Sequence, residues 1–203
     1  MTMKTNRSIF TAISILGICS ASYATQIFDT GSNGSLATAI NLDPYFSSEF
    51  VANITSSTTV PHATATRTFG GATQYDWFSF SATSGSSILL DVDNGMFDFD
   101  PYLRVYDSGS SSITANDDGH AGDLGSAHGY DSYLPFTATY TGLYFVEVSV
   151  YVHGMIGAGQ NYDLHVSVQD HVAPGVPDSA SSALLCGLGL LSLLGFRARS
   201  KRA

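Results

Sequence analysis

Apolar and polar residues alternate in short runs between residues 59 and 169, a pattern typical of β-strands. In the run 87–93, Ile88, Leu90 and Val92 share one side, and the run 143–152 alternates in the same way. Side chains on a strand point to opposite faces in turn, so each run is expected to bury one face. Gly, Ser and Asn fill the intervals, where turns are expected.

These runs predict about eight strands and no helix between them. The predicted strands are 60–68, 75–81, 87–93, 102–106, 111–115, 132–139, 143–152 and 162–168. Such a succession favours an all-β fold, an antiparallel β-sandwich of jelly-roll type.

Residues 25–58 are expected to form a lead-in with a short helical turn capped by Ser35, and residues 59–170 are expected to form the sandwich. Trp77 lies within a strand and is assigned to the core.

Strands 102–106 and 111–115 are separated by Ser108-Gly109, and the sequence predicts a hairpin there. Acidic residues stand at its entry and exit, which a hairpin brings together. The residues expected to converge are Asp98, Asp100, Asp117 and Asp118, with Asp131 opposite them at the start of the next strand.

Carboxylates gathered in one place repel unless a cation or hydrogen-bond donors compensate them. Calcium takes six to eight hard oxygen ligands in irregular geometry, which suits four or five carboxylates on loops. The sequence therefore predicts a Ca²⁺ site that stabilises the fold. The alternative is that these are solvated turn aspartates held by backbone amides.

The charges are unevenly distributed. The net charge is -9, and only Arg67 and Arg104 lie between the basic residues of the two ends, so the body is strongly acidic. Such a surface repels nucleic acid and attracts cations. The alternative is that the charge serves solubility alone.

The first 24 residues have the layout of a signal peptide. Lys4 and Arg7 precede an apolar stretch, and Ser22-Tyr23-Ala24 is a small-x-small cleavage site, so cleavage is predicted after Ala24. The alternative is an uncleaved anchor. Both cysteines, Cys19 and Cys186, lie in the terminal apolar segments, so the mature body is expected to form no disulfide.

The C-terminus has three parts. Residues 171–179 are a linker, 180–196 are apolar and uncharged, and 197–203 are basic. Seventeen residues span roughly 25 Å as a helix, near the lower limit for a bilayer, and the basic end predicts a cytoplasmic tail.

The motif Val176-Pro177-Asp178-Ser179 before that apolar segment resembles the PEP-CTERM class of sorting tails, closest to its VPDSG variety, with Ala180 in place of Gly. The resemblance implies that an exosortase removes the tail and leaves the protein at the cell surface or outside the cell. The alternative is a plain membrane anchor.

Three segments of the body resemble the bacterial pre-peptidase C-terminal (PPC) domain. They are 75–80 (YDWFSF), 100–107 (DPYLRVYD) followed by 116–118 (NDD), and 142–148 (GLYFVEV). The resemblance covers residues 34–169 and implies a jelly-roll sandwich that accompanies secreted peptidases without being their catalytic part. No peptidase domain is attached here.

The sequence holds no H-E-x-x-H, G-x-S-x-G or P-loop motif, and we predict that the protein is not an enzyme. A carboxylate pair for glycoside hydrolysis, or a zinc site at His120 and His128, is an alternative. Two other classes stay open: a structural surface or matrix protein, and a module that binds exopolysaccharide or surface proteins. Tyr130, Tyr133 and Tyr151 are candidate stacking residues for such a ligand.

Overall fold

The computed structural model describes residues 26–68, 70–95, 99–119, 124–126, 129–151 and 154–171. Nearly all of their regular structure is β-strand. The ten strands are β1 Ile27–Asp29, β2 Ile40–Asn41, β3 His62–Arg67, β4 Asp76–Ala82, β5 Ser87–Asp93, β6 Pro101–Tyr106, β7 Ser112–Asn116, β8 Tyr133–Thr137, β9 Gly142–Val150 and β10 Tyr162–Val168. Two 3₁₀ turns, Leu36–Thr38 and Asp43–Tyr45, precede β3.

The strands form two five-stranded sheets. Sheet A has the order β1-β3-β10-β5-β8, and sheet B has the order β2-β4-β9-β6-β7. All pairs are antiparallel except β1 with β3 and β2 with β4, which are parallel. The all-β sandwich is confirmed, but the sheets are mixed rather than antiparallel, and they contain ten strands rather than about eight. The jelly-roll connection stays a prediction.

The core lies between the sheets and follows from the alternation in the sequence. Ile88, Leu90 and Val92 of β5 are at most 2% exposed, and they face the same interior as the buried residues of β9 and β10. Because every central strand contributes its apolar face, the core is continuous from one sheet to the other. Trp77 is buried, at 8% exposed, but it lies on the outer face of sheet B rather than in the core cluster with Phe78 and Phe80.

The predicted strands match the structure well at the centre of the chain. The runs 87–93 and 162–168 coincide with β5 and β10, and the hairpin of β6 and β7 is confirmed. The sequence did not predict β1 and β2, which have three and two residues and add as parallel edge strands. Segments this short show too little alternation to be distinguished from loop.

The predicted turn after Ser35 is present as the 3₁₀ turn Leu36–Thr38, where the Ser35 amide donates to Thr38 Oγ1 at 3.2 Å. The signal peptide, the sorting motif, the apolar segment 180–196 and the basic tail lie outside the described residues. No helix in the described part of the chain is long and apolar enough to cross a membrane.

Candidate functional site

The candidate site is the end of the sandwich at which β6 begins and β7 ends. β6 and β7 pair from Leu103 opposite Asn116 to Tyr106 opposite Ser112, with a bulge at the turn side. The hairpin therefore sets Asp100, just before β6, beside Asp117 and Asp118, just after β7. This is the convergence that the sequence predicted for these three aspartates.

The three carboxylates interact electrostatically. Burial, and then the negative charges of Asp118 and Asp100, raise the pKa of Asp117. Asp118 is exposed, whereas Asp117 is half-buried and its Oδ1 is enclosed without a hydrogen-bond donor. The neighbouring Asn116 Oδ1 is enclosed in the same way. Among the described residues, the Oδ1 atoms of Asn116 and Asp117 are thus enclosed acceptors without a donor.

Asp131 joins this end of the sheet through its backbone. Gly119 approaches it so closely that a β-carbon at Gly119 would overlap the carbonyl oxygen of Asp131. The next residue, Ser132, places its Oγ 2.5 Å from the carbonyl oxygen of Pro101 and 2.8 Å from that of Asp117. The start of β8 in sheet A is thereby fixed against both strands of the hairpin in sheet B.

The polar side-chain atoms of these aspartates are all oxygens, the ligand type that hard cations prefer. Asp98 lies outside the described residues, so its place in the cluster stays a prediction. Within the described ranges, no three His, Cys, Asp or Glu side chains are grouped closely enough to hold a metal ion. The aspartates share one end of the sheet, but a cation would have to draw them together.

A second polar cluster lies on the outer face of sheet A. His165 Nε2 lies 3.2 Å from Asp93 Oδ2, and His165 Nδ1 lies 2.8 Å from Thr64 Oγ1. Gly125, at φ +102°, lies so close to the Asp93 carboxylate that a β-carbon would overlap it. His165 and Asp93 are 4% and 0% exposed, so these residues fix a loop on the sheet.

The remaining histidines have separate positions. His62 is buried and its Nδ1 lies 3.3 Å from the carbonyl oxygen of Val60. Burial comes first in lowering the pKa of His62, so this ring is neutral at neutral pH. The predicted structural role of His62 fits this geometry. His120 and His128, the zinc alternative, lie outside the described residues.

The interior of the sandwich contains a buried ionic network that the sequence did not predict. Arg67 Nε donates to Asp76 Oδ2 at 2.8 Å, and Tyr162 OH donates to the same oxygen at 2.9 Å. Arg67 Nη1 donates to the carbonyl oxygen of Gln160. The one usable signal was Arg67 itself, an arginine at an apolar position of a predicted strand.

Asp29 of β1 completes this network. Burial first, and then the negative charge of Asp76, raise the pKa of Asp29 to about 6, although hydrogen bonds from Gly31 and Asn33 oppose the shift. One arginine thus faces two carboxylates, so the network carries one negative charge too many when both are ionised. The contribution of Asp29 to folding stability therefore depends on pH.

The aromatic side chains divide into two groups. Tyr130 and Tyr151, two of the predicted stacking residues, are 61% and 52% exposed and lie outside the strands, and Tyr133 is half-buried in β8. Tyr102 and Tyr106 lie two positions either side of Arg104 on the outer face of sheet B, and no local sequence pattern indicates a role for them.

Residues 74–149 match the family described as the bacterial pre-peptidase C-terminal domain. No curated protein matches the chain significantly. Among solved structures, it is similar to the periplasmic inhibitor of g-type lysozyme, PliG, from Aeromonas hydrophila, with 14% identity over 71% of this chain and 100% of that one and a TM-score of 0.38. The Salmonella Typhimurium PliG gives 14% identity, 64% and 98% coverage and a TM-score of 0.36.

The chain is also similar to the pre-peptidase C-terminal domain of a collagenase from Bacillus anthracis. The identity is 18%, the alignment covers 45% of this chain and 75% of that one, and the TM-score is 0.33.

Proposed function

We propose that the protein is a non-catalytic, exported β-sandwich module of the cell surface or extracellular matrix. The observation that carries this proposal is the match of residues 74–149 to the pre-peptidase C-terminal domain family, in a chain that begins with a signal-peptide pattern. Two further features support it: the body contains no cysteine, and its composition suits an exported all-β domain.

The C-terminal pattern supplies the route in this proposal. An exosortase-type enzyme acts at Val176-Pro177-Asp178-Ser179 while the segment 180–196 holds the chain in the inner membrane. The jelly-roll body is on the outer side because the basic residues that follow remain in the cytoplasm. After processing, the body stays with exopolysaccharide or surface proteins.

Calcium stabilises the body in this proposal, bound at the hairpin end by Asp98, Asp100, Asp117, Asp118 and Asp131. The enclosed Oδ1 atoms of Asp117 and Asn116 support it, because buried acceptors without donors are costly unless a cation or water reaches them. The role of the ion is structural: it offsets the burial of Asp117 and the negative charges of Asp118 and Asp100, which together raise the pKa of Asp117.

Mass spectrometry of the native protein, combined with cell fractionation, tests the export route. The expected protein begins at Thr25, ends near 176–178 and is found in the surface or extracellular fraction. Native protein that retains both termini, or that remains in the cytoplasm, would contradict the proposal. A variant with Pro177→Ala and Asp178→Ala is expected to retain the tail and stay in the membrane fraction.

The alternative is an accessory module that binds carbohydrate or protein. The observation that favours it is the aromatic outer face of sheet B. This alternative is compatible with export and with a structural calcium ion, because each involves a different part of the sandwich.

A further inference from the structure

The outer face of sheet B carries a compact group of aromatic and charged side chains, which we call the Arg104 patch. Its members are Trp77, Tyr102, Arg104, Tyr106 and Glu147. Strand register aligns Trp77 of β4, Glu147 of β9 and Arg104 of β6 in one row across the sheet. Tyr102 and Tyr106 flank Arg104 on the same face of β6, because residues two apart on a strand point the same way.

The patch is organised around the guanidinium group. Arg104 Cζ lies 5.4 Å from the ring centroid of Tyr102 and 6.0 Å from that of Tyr106. Its Nη1 and Nη2 donate to the hydroxyls of Tyr106 and Tyr102 over 3.3 and 3.5 Å. These bonds are long, and a ligand oxygen closer to the guanidinium would form better ones.

Two buried neighbours, Glu147 and Trp77, hold the Tyr106 side chain in place. The Tyr106 hydroxyl donates to Glu147 Oε2 at 2.9 Å, and Glu147 is 3% exposed. The Trp77 ring packs 5.1 Å from the Tyr106 ring, centroid to centroid. Tyr102, Arg104 and Tyr106 themselves are half-buried, so their rings and donors remain accessible to a ligand. Preorganised aromatic and arginine side chains lose little entropy on binding.

The charge of the patch distinguishes it from the rest of the body. Arg67 and Arg104 are the Lys and Arg residues of the described chain, and Arg67 is fully buried. The negative charge of Glu147 balances the positive charge of Arg104, and Tyr106 contacts both side chains. The patch therefore has no net charge on an otherwise acidic domain. The acidic surroundings repel a polyanion, and a cationic partner would be attracted to the aspartates at the hairpin end instead.

We infer that the Arg104 patch binds a neutral glycan. The faces of Tyr102 and Tyr106 offer apolar area to the C–H face of a sugar ring, while the guanidinium donors and tyrosine hydroxyls reach its hydroxyl groups. Glu147 acts as a positioning residue that fixes the Tyr106 hydroxyl. A protein partner fits less well, because a stable protein interface uses about 20–30 residues a side, far more than this group.

This inference rests on the proposed role as an exported, non-catalytic module, and it gives that role a ligand class. The two can fail separately. Glycan binding is measured on purified protein and does not depend on tail processing. A protein that binds glycan but is not processed contradicts the sorting route alone, and a processed protein that binds no glycan contradicts the inference alone.

Affinity electrophoresis in native gels tests the inference directly. The purified protein is run through gels that contain hydroxyethyl cellulose, galactomannan or polygalacturonate. At least one of the two neutral polymers is expected to slow the protein, and polygalacturonate is not. Tyr102→Ala and Arg104→Ala are expected to remove the retardation, while Arg104→Lys, which keeps the charge but loses the planar fork, is expected to weaken it.

The matched control is Phe50→Ala, which removes an exposed aromatic ring outside the patch and should leave the retardation unchanged. Tyr106→Phe serves as a second variant, because it removes only the hydroxyl and is the least disruptive to folding. It should weaken the retardation, since this hydroxyl is one of the groups that reach the sugar. Circular dichroism melting shows whether each variant is folded.

The inference is overturned if neither neutral polymer slows the protein, if polygalacturonate alone does, or if folded Tyr102→Ala and Arg104→Ala variants bind as before. It is also overturned if these variants instead abolish self-association in sedimentation velocity, which would assign the patch to a protein interface.

Discussion

Arg67 and Asp76 form an ion pair in the interior of the sandwich, with Nε and Oδ2 2.8 Å apart and both side chains 0% exposed. The pair joins β3 of sheet A to β4 of sheet B. Since Arg67 Nη2 also donates to the carbonyl oxygen of Gly71 at 2.8 Å, the arginine fixes the connection between these strands as well. The ion pair is therefore a link between the two sheets.

We predict that Arg67→Met strongly destabilises the protein. The substitution leaves Asp76 buried without its cation, which costs about 3–5 kcal/mol of unfolding free energy. Urea unfolding followed by tryptophan fluorescence measures the loss, because Trp77 is buried in β4. The double variant Arg67→Met/Asp76→Asn is expected to recover part of it, since the uncompensated charge is gone. A single variant as stable as the wild type would show that the pair contributes nothing.

A second prediction concerns the pH dependence of stability. The pKa of Asp29 is about 6 in the folded protein, above its value of 3.8 in an unfolded chain. The folded state therefore binds the proton more tightly, and the stability contributed by Asp29 is fully present below pH 3.8 and lost as the pH rises through 6. Asp29 alone therefore makes the protein less stable at pH 7 than at pH 5, whereas the lowered pKa of buried His62 acts in the opposite direction.

The Asp29→Asn variant isolates this effect. It should reduce the fall in stability between pH 5 and pH 7 by about 1–2 kcal/mol, after allowance for solvent screening. Asp117 shares the direction of shift, so the measurement compares variant with wild type rather than relying on the absolute slope. Asp170→Asn, at an exposed position away from Asp29 and Asp117, is the control and should leave the slope nearly unchanged. If the slopes of Asp29→Asn and the wild type agree, Asp29 does not titrate in this range.

The sequence predicted the central strands and the hairpin end because both depend on local patterns. The alternation of apolar and polar residues predicts the first and last residues of β5 and β10 correctly. Asp100 and Asp117 stand at the two open ends of one hairpin, and the turn between its strands brings those ends together. The ion pair of Arg67 with Asp76 and the bond from Tyr162 depend on how two sheets face each other, which no local pattern records. The same holds for the Arg104 patch, since the register of β6 with β9 places Glu147 beside Arg104.

A third prediction concerns Asp43, which anchors the end of the described chain. Asp43 accepts hydrogen bonds from the Ser81 amide and hydroxyl, each at 2.7 Å, and lies 3.0 Å from His171 Nε2. Burial alone would raise the pKa of Asp43, but the bonds from His171 and Ser81 outweigh it and lower the pKa.

The stability that Asp43 contributes is therefore present above its unfolded pKa and lost as the pH falls through the folded value. Asp43→Ala should cost about 1–3 kcal/mol at pH 7, because it leaves the donors of Ser81 and His171 without their acceptor. Chemical unfolding at pH 7 and at pH 3 checks this, and the difference between variant and wild type should shrink at pH 3. His171→Gln, which keeps a donor, should be milder. An equal loss at both pH values would indicate that packing rather than charge is responsible.

The last prediction is that calcium stabilises the folded body through the hairpin end. Millimolar Ca²⁺ should raise the melting temperature and a chelator should lower it, because an ion that binds only the folded state stabilises it by mass action. Mg²⁺ should have a smaller effect, since it demands stricter octahedral geometry than loop carboxylates provide.

The paired substitution Asp100→Asn and Asp117→Asn should abolish the calcium effect. It should also raise stability in chelator, because it removes the partly buried charge of Asp117 and one of the two neighbouring charges that, after burial, raise the pKa of Asp117. Asp170→Asn is the matched control: Asp170 is exposed at φ 62°, a conformation that Asn also tolerates, and it lies outside the cluster. That variant should respond to calcium as the wild type does. If the wild type melts at the same temperature in calcium and in chelator, the aspartates at the hairpin end serve as turn residues and hold no ion.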